Sequence, residues 1–307
     1  MKLKKTIKGL IIVAVLFLSF SISSNAFASN GESDSSDSIN EKFGMPIVVY
    51  GAALSDAQKD EVRRLLGVKD TSMVTEITVT GDDLVTYIKG DRRANMYSSA
   101  KITRLEAGEG LTINQVTPNN ITEVTDEMYA NALLTAGIED AIVDVASPVK
   151  VTGHSALVGI YKAYDEGNGE GLNKEHTEVA NEELSIATQL AKKEGLDQDK
   201  ISELLTEIKK EIAANNPATK EDIEQIINEQ LKSLNISLSD QDRQLLIDLF
   251  EKMRGLNINF DNVQSQLEDL SNDIKQRIEE AVGDKGFLQA ISDFFKNLIE
   301  SIKNLFS

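Results

Sequence analysis

The chain has 307 residues, and its 50 acidic side chains outnumber 32 basic ones, which gives a net charge of −18 at neutral pH. It contains no cysteine and only two histidines, so disulfides, thiolate zinc sites and thiol nucleophiles are excluded. A protein this negative repels the phosphates of nucleic acid, and we therefore expect no nucleic-acid partner.

The first 28 residues have the three parts of a secretory signal peptide. Four lysines precede an apolar run from Leu10 to Phe20, and Ala26 and Ala28 supply the small residues of a cleavage site. The apolar run is shorter than the roughly 20 residues that a membrane span needs. The sequence therefore predicts that residues 1–28 are removed and that the protein is secreted, either into the medium or to remain associated with the cell envelope. An uncleaved anchor is the alternative.

Residues 29–44 are small, acidic and without periodicity, which predicts a disordered lead-in. From residue 45 to residue 171 the pattern predicts a small mixed domain of strands and helices. Runs typical of strands occur at 47–50, 74–80, 100–105, 111–116 and 141–145, and short helices are predicted to begin after Ser55 and near Asp82. Ser55 and Gln58 form a capping box. The glycines between 100–105 and 111–116 favour a hairpin that pairs these two strands.

The stretch from Thr125 to Gly171 organises the rest of the chain. It predicts an amphipathic helix, a short apolar strand that ends at Pro148, and a second helix headed by His154. After it, residues 172–307 lose the strand signal and repeat apolar residues at helical spacing, so an all-helical domain is expected. The sequences LNISL (234–238) and LNINF (256–260) predict matching turns between helices. The predicted fold class is thus α+β, with a helical C-terminal region.

The C-terminal segment carries a strongly amphipathic pattern. Apolar residues recur along one side of a predicted helix, and its polar side balances lysines against acids. This favours docking on a protein or cell-wall partner, or packing within the chain, over peripheral contact with a membrane, which usually needs an excess of lysine and arginine. The predicted partner-binding residues are Phe287, Ile291, Phe294, Phe295, Leu298 and Ile302.

Two stretches resemble catalytic or metal-binding motifs without completing them. The sequence around His154 and Ser155 has the strand–turn–helix context of a nucleophile elbow, but its fifth position is Leu157 and not glycine. A secreted hydrolase that uses these residues or carboxylates remains the alternative to a non-enzymatic protein. Asp165, Asn168 and Glu170 are candidate calcium ligands, although the spacing departs from an EF-hand and a flexible linker explains it as well. We otherwise expect no cofactor.

Blocks spread over the chain resemble a known family. They include VVYGA (48–52), NALLTAGI (131–138), VTG (151–153) and KAY (162–164), together with Ala180, Asn181, Glu183 and Leu184. In these blocks the chain resembles the YpuA-like family of secreted Gram-positive (Firmicutes) proteins, a domain of unknown function. The resemblance implies an exported protein of the envelope or medium and transfers no activity or site. Our leading hypothesis is an exported, non-enzymatic protein that binds a partner; the oligomeric state stays open.

Overall fold

The computed structural model of the chain describes residues 42–168, 171–192, 196–258, 260 and 263–282. Within these ranges the strands are β1 (Ile47–Gly51), β2 (Thr75–Val79), β3 (Ser99–Arg104), β4 (Leu111–Gln115) and β5 (Ala141–Ala146). The helices are α1 (Asp56–Leu65), α2 (Gly81–Ile88), α3 (Asp126–Thr135), α4 (His154–Asn168), α5 (Lys174–Ala191), α6 (Gln198–Asn215), α7 (Lys220–Ser233), α8 (Asp240–Gly255) and α9 (Gln264–Val282). The predicted signal peptide and the predicted partner-binding segment lie outside the described residues.

The strands form one mixed five-stranded sheet in the order β2-β1-β3-β5-β4. The pairs β1–β2 and β4–β5 are parallel, and the pairs β1–β3 and β3–β5 are antiparallel. All five strands precede residue 147, and helices follow to the end of the described residues. The predicted α+β class is therefore confirmed.

The predicted hairpin between β3 and β4 is wrong, because β5 lies between these two strands. β5 contributes Ala141, Val143 and Val145, which are all fully buried. A strand with a buried apolar side is best placed with neighbours on both sides, which favours the position of β5 between β3 and β4 over a direct β3–β4 pair. The glycine-containing loop does turn the chain, but the carboxylate of Asp140 fixes it by accepting from the backbone N–H groups of Gly108 and Gly110 at 2.9 and 2.8 Å.

One face of the sheet packs against α4 in the main core, and α3 packs beside it, against β4. α4 approaches β1 closely at Gly159, where an added Cβ would lie 3.3 Å from Val49 Cγ1.

The prediction that α3 is amphipathic is wrong, since nine of its ten residues are buried. It contacts β4 on one side and α5 and α6 on others, so no side of it faces water.

The main apolar cluster continues from the sheet into the later helices. It includes Val143 of β5, Leu157 of α4, Leu204 of α6 and Phe250 of α8. A smaller cluster, on the opposite face of the sheet, lies beneath α1. The division into domains at residues 171 and 172 stays a prediction, and the main cluster has members on both sides of it. Within the described ranges, no helix has the length and apolar character to cross a bilayer.

The matching turns predicted in the helical region are confirmed. Asn235 after α7 and Asn257 after α8 both adopt left-handed backbone geometry, with φ of 53°. In each turn a backbone N–H reaches back across the helix end: Ile236 donates to Leu231 at 2.9 Å, and Ile258 donates to Met253 at 3.1 Å. Asparagine tolerates this geometry better than most residues, which explains its place in both sequences.

Candidate functional site

A group of polar side chains is buried where α3, α5 and α6 meet. Its members, called here the buried polar cluster, are each at most 1% exposed: Asn131, Thr135, Glu183, Thr206 and Lys209. Asn131 and Thr135 are one turn apart on α3, and Thr206 and Lys209 are one turn apart on α6. Residues at these spacings share one side of a helix, so α3 and α6 both direct a polar pair towards Glu183 of α5.

An ion pair forms the centre of the buried polar cluster. Lys209 Nζ lies 2.6 Å from Glu183 Oε1. The same ammonium donates to the backbone carbonyl of Asn131 at 2.7 Å and to its side-chain Oδ1 at 3.2 Å. The second carboxylate oxygen of Glu183 accepts from the Thr135 hydroxyl at 2.6 Å. Both charged groups therefore find polar partners inside the protein.

Burial acts strongly on the lysine of this pair. Removal from water lowers the pKa of Lys209, and the nearby Glu183 carboxylate opposes that shift. The ring of Phe260, whose centroid is 5.7 Å from Nζ, adds to its apolar surroundings. A buried charge without a partner is costly. Removing either Lys209 or Glu183 alone would therefore destabilise the fold, because the remaining charge would be uncompensated.

The hydrogen bonds of Asn131 fix the orientation of its amide. Nδ2 donates to the Thr206 hydroxyl at 3.0 Å and to the Glu127 carbonyl at 3.2 Å. Both of these partners can accept, whereas the Lys209 ammonium can only donate. The amide oxygen must therefore face Lys209.

The walls of the cluster are closed to solvent. Tyr161 of α4 is fully buried, and both burial and the charge of Glu183 raise the pKa of its hydroxyl. Among the described residues, its hydroxyl and that of Ser202 have no hydrogen-bond partner. A molecule from solution cannot reach Lys209 without opening the core, so any reaction of this cluster involves groups of the chain itself.

The sequence candidates His154 and Ser155 lie at the start of α4. Nε2 of His154 is 3.2 Å from the hydroxyl of Thr188 on α5. Because the Thr188 proton is directed at the carbonyls of Leu184 and Ser185, both at 3.0 Å, the histidine must be the donor. Burial lowers the pKa of His154, which favours the neutral ring. Within the described residues, this histidine thus joins α4 to α5 and its hydrogen bond does not go to Ser155, which is half-buried.

The calcium candidates are divided by the structure. Asp165 of α4 accepts from the Tyr87 hydroxyl at 2.9 Å and from the backbone N–H of Leu172 at 2.8 Å, so it fastens the end of the helix. The side chain of Asn168 and the whole of Glu170 lie outside the described residues. In the described part of the chain, no three acidic or histidine side chains are grouped closely enough to hold a metal ion. Calcium binding stays a prediction.

The predicted partner-binding residues follow α9, which several polar contacts attach to the rest of the chain. Arg277 pairs with Glu127 of α3, and Lys275 lies 2.8 Å from Glu207 of α6. Gln266 accepts from the backbone N–H of Leu111 at 3.0 Å. The six residues themselves, Phe287, Ile291, Phe294, Phe295, Leu298 and Ile302, are outside the described residues, and their role stays a prediction.

Sequence reasoning missed the buried polar cluster, although a signal for it exists. Lys209 lies four residues after Leu205 and three before Ile212, on the apolar side of α6. Glu183 lies between Val179 and Ala187 on the apolar side of α5. A charged residue inside an apolar stripe is typical of a buried pair, because a lone buried charge would be too costly.

Comparison with known proteins assigns the chain to a family. A family model described as "Protein of unknown function (DUF1002)" matches residues 50–270. The "Uncharacterized protein YpuA" of Bacillus subtilis (strain 168) is 36% identical over 269 residues, which cover 86% of this chain and 90% of that protein. No solved structure matches the chain. The resemblance noted from the sequence is thereby confirmed, and the chain belongs to the YpuA-like DUF1002 family.

Proposed function

We propose that the chain is an exported, non-enzymatic protein of the cell envelope or extracellular medium that binds a protein or cell-wall partner. The position of its reactive side chains carries this proposal. Lys209 and Glu183 are sealed in the core, and His154 and Asp165 each hold a helix in place. Such placements suit a stable scaffold better than an open catalytic centre, which needs convergent polar groups in a cleft.

The export part of the proposal rests on the sequence of residues 1–28. Its lysines, apolar run and small cleavage residues have the order of a secretory signal. The lack of cysteine does not distinguish an exported protein from a cytoplasmic one, because a chain in either location can fold without disulfides. Export is therefore tested directly in the experiment below.

The partner-binding part rests on the apolar side of residues 287–302. Charged residues on its polar side are of both signs, so attraction to an anionic lipid surface contributes little. Burial of the aromatic side chains at an interface would supply the affinity, since large aromatic anchors dominate binding energies. A folded partner or a wall polymer with apolar patches would be the complementary surface.

Fractionation of Bacillus subtilis cells that produce the chain tests both parts. We expect the chain outside the cytoplasm, with its N-terminus after Ala28, and partly retained by the envelope. The double variant Phe294→Asp/Phe295→Asp should be released into the medium. The matched variant Ser292→Asp/Asn297→Asp adds the same charge to the polar side and should be retained like the natural chain.

Two results would contradict the proposal. A chain that stays in the cytoplasm with residues 1–28 attached would refute export. Equal retention of both double variants would refute binding through the apolar side. Labelling of Ser155 by a serine-reactive phosphonate would instead support the hydrolase alternative, because such labelling requires an activated hydroxyl.

A further inference from the structure

The buried polar cluster brings together an amine, a carboxylate and a carboxamide. Lys209 Nζ is 2.6 Å from Glu183 Oε1 and 3.2 Å from Asn131 Oδ1, and the three side chains are at most 1% exposed. We propose that Lys209 and Asn131 condense into an intramolecular isopeptide bond, with Glu183 as the proton carrier. The bond would join α6 to α3 covalently in a chain that has no cysteine for disulfides.

The amine must first lose its charge, and its surroundings favour that loss. Burial lowers the pKa of Lys209, so the neutral amine is easier to form here than in water. Glu183 is in contact with Nζ and can take the proton. Transfer within the pair replaces two buried charges by two neutral groups, which reduces the cost of keeping them away from solvent.

The amine is also close to the carbon that it must attack. Asn131 Cγ is one carbonyl bond, about 1.2 Å, beyond the Oδ1 atom that Nζ contacts. The backbone carbonyl of Asn131, at 2.7 Å, holds Nζ in this position. Rotation about the last torsion of the asparagine side chain leaves Cγ in place but turns the open face of the carbonyl carbon towards the amine, and it breaks the Nδ2 hydrogen bonds to Thr206 and Glu127. Two groups held together in this way react as if at very high concentration.

The reaction balances without an external reagent. The Nζ lone pair forms the new bond to Cγ while the carbonyl electrons move onto Oδ1, which faces the Thr206 hydroxyl at 3.4 Å. In this intermediate both nitrogens are bonded to Cγ, so Glu183, which already holds the first Nζ proton, gives that proton to Nδ2 and takes the second Nζ proton in its place. The carbonyl re-forms, the Cγ–Nδ2 bond breaks with its electron pair on nitrogen, and ammonia leaves. One amine and one primary amide thus become one secondary amide and one ammonia, with no change in oxidation state.

Mass spectrometry of the full chain after denaturation tests the proposal. We expect an intact mass one ammonia below that of the unmodified sequence with the same N-terminus. Trypsin should fail to cut after Lys209, and a branched peptide should join this site to the segment that contains Asn131. Variants Lys209→Met and Glu183→Gln should both have the full mass, since one lacks the amine and the other lacks the proton carrier.

The neighbouring lysine provides a matched control. Lys210 pairs with Glu207 and Glu268 and not with the cluster, so Lys210→Met should still lose ammonia. A natural chain with full mass and two linear peptides would overturn the proposal, whatever the variants do. Loss of ammonia that persists in Lys209→Met would overturn it too, because the reaction would then lie elsewhere. Circular dichroism of Glu183→Gln separates a lost proton carrier from a lost fold.

Discussion

The replacement of Asp126 by asparagine should stabilise the protein at neutral pH. Asp126 occupies the first turn of α3, next to Glu127. Burial and the charge of Glu127 raise its pKa to about 6, while Arg277 and the backbone N–H of Gln115 act in the opposite direction. A carboxyl group with this pKa is ionised at neutral pH at a cost to the folded state.

The size of the effect follows from two opposing contributions. A pKa of about 6 in place of 3.8 corresponds to roughly 3 kcal/mol against folding when the group is ionised. The helix N-terminus favours an anion by about 0.3–1 kcal/mol, which asparagine forfeits, and partial contact with solvent screens the rest. We therefore expect Asp126→Asn to raise the free energy of unfolding by about 1–2 kcal/mol near pH 7.5.

The dependence on pH has a definite sign. Since the folded-state pKa is above the unfolded value, the folded state binds the proton more tightly, and the natural chain gains stability as the pH falls through about 6. The advantage of the variant should therefore shrink as the pH falls below about 6, to roughly half of its pH 7.5 value near pH 5, and it should vanish only below the unfolded-state pKa of 3.8. Urea unfolding at both pH values measures this difference.

A matched control separates this effect from the general loss of a helix-terminal charge. Asp56 also lies in the first turn of a helix, α1, but is exposed. Asp56→Asn should change stability by less than about 0.5 kcal/mol at either pH. The reasoning is refuted if Asp126→Asn is no more stable than the natural chain near pH 7.5, or if its gain is the same at both pH values.

Three further predictions concern backbone geometry and helix ends. Gly51→Ala should lower the free energy of unfolding by about 1–3 kcal/mol, because the new Cβ would lie 2.2 Å from the Met96 carbonyl oxygen, whereas Gly255→Ala, which meets open space at the end of α8, should raise it by about 0.5–1 kcal/mol. Thermal unfolding of the pair checks this, and shifts of the same sign would contradict it. Thr219→Ala should cost about 1 kcal/mol in urea unfolding because α7 loses its cap, and Thr219→Ser should restore most of it. Asn235→Ala should cost about 1–2 kcal/mol at its positive φ, but Asn235→Gly should not; equal losses would point to the side chain and not the backbone.

The parts of the fold that the sequence predicted well depend on residues close together in the chain. The capping box at Ser55 forms because this cap and its partner Gln58 are three residues apart. The turns at Asn235 and Asn257 likewise need only a helix end and a residue that tolerates positive φ. Such local signals can be recognised in the sequence because they do not depend on contacts with distant parts of the chain.

Strand pairing was harder to predict because it depends on distant segments. β3 and β4 are neighbours in sequence and are joined by glycines, which favours a hairpin on local grounds. β5, which follows α3 in the chain, nevertheless takes the position between them. The burial of its Ala141, Val143 and Val145 outweighs the short connection between β3 and β4. Residues 100–116 alone contain no sign of this competing strand.

The buried polar cluster shows how the same limit applies to the site. On its own, Lys209 in the apolar stripe of α6 indicates only that some partner must exist. Glu183 in the apolar stripe of α5 likewise indicates a partner without identifying it. Asn131 has no such signal in the sequence, and its role becomes visible only because the structure buries α3 on every side. Opposite charges in two apolar stripes therefore predict an ion pair. The contact with Asn131 could not be predicted, because it depends on the packing of α3 between α5 and α6. That packing places a carboxamide against the amine, and it turns a structural ion pair into a site with a testable reaction.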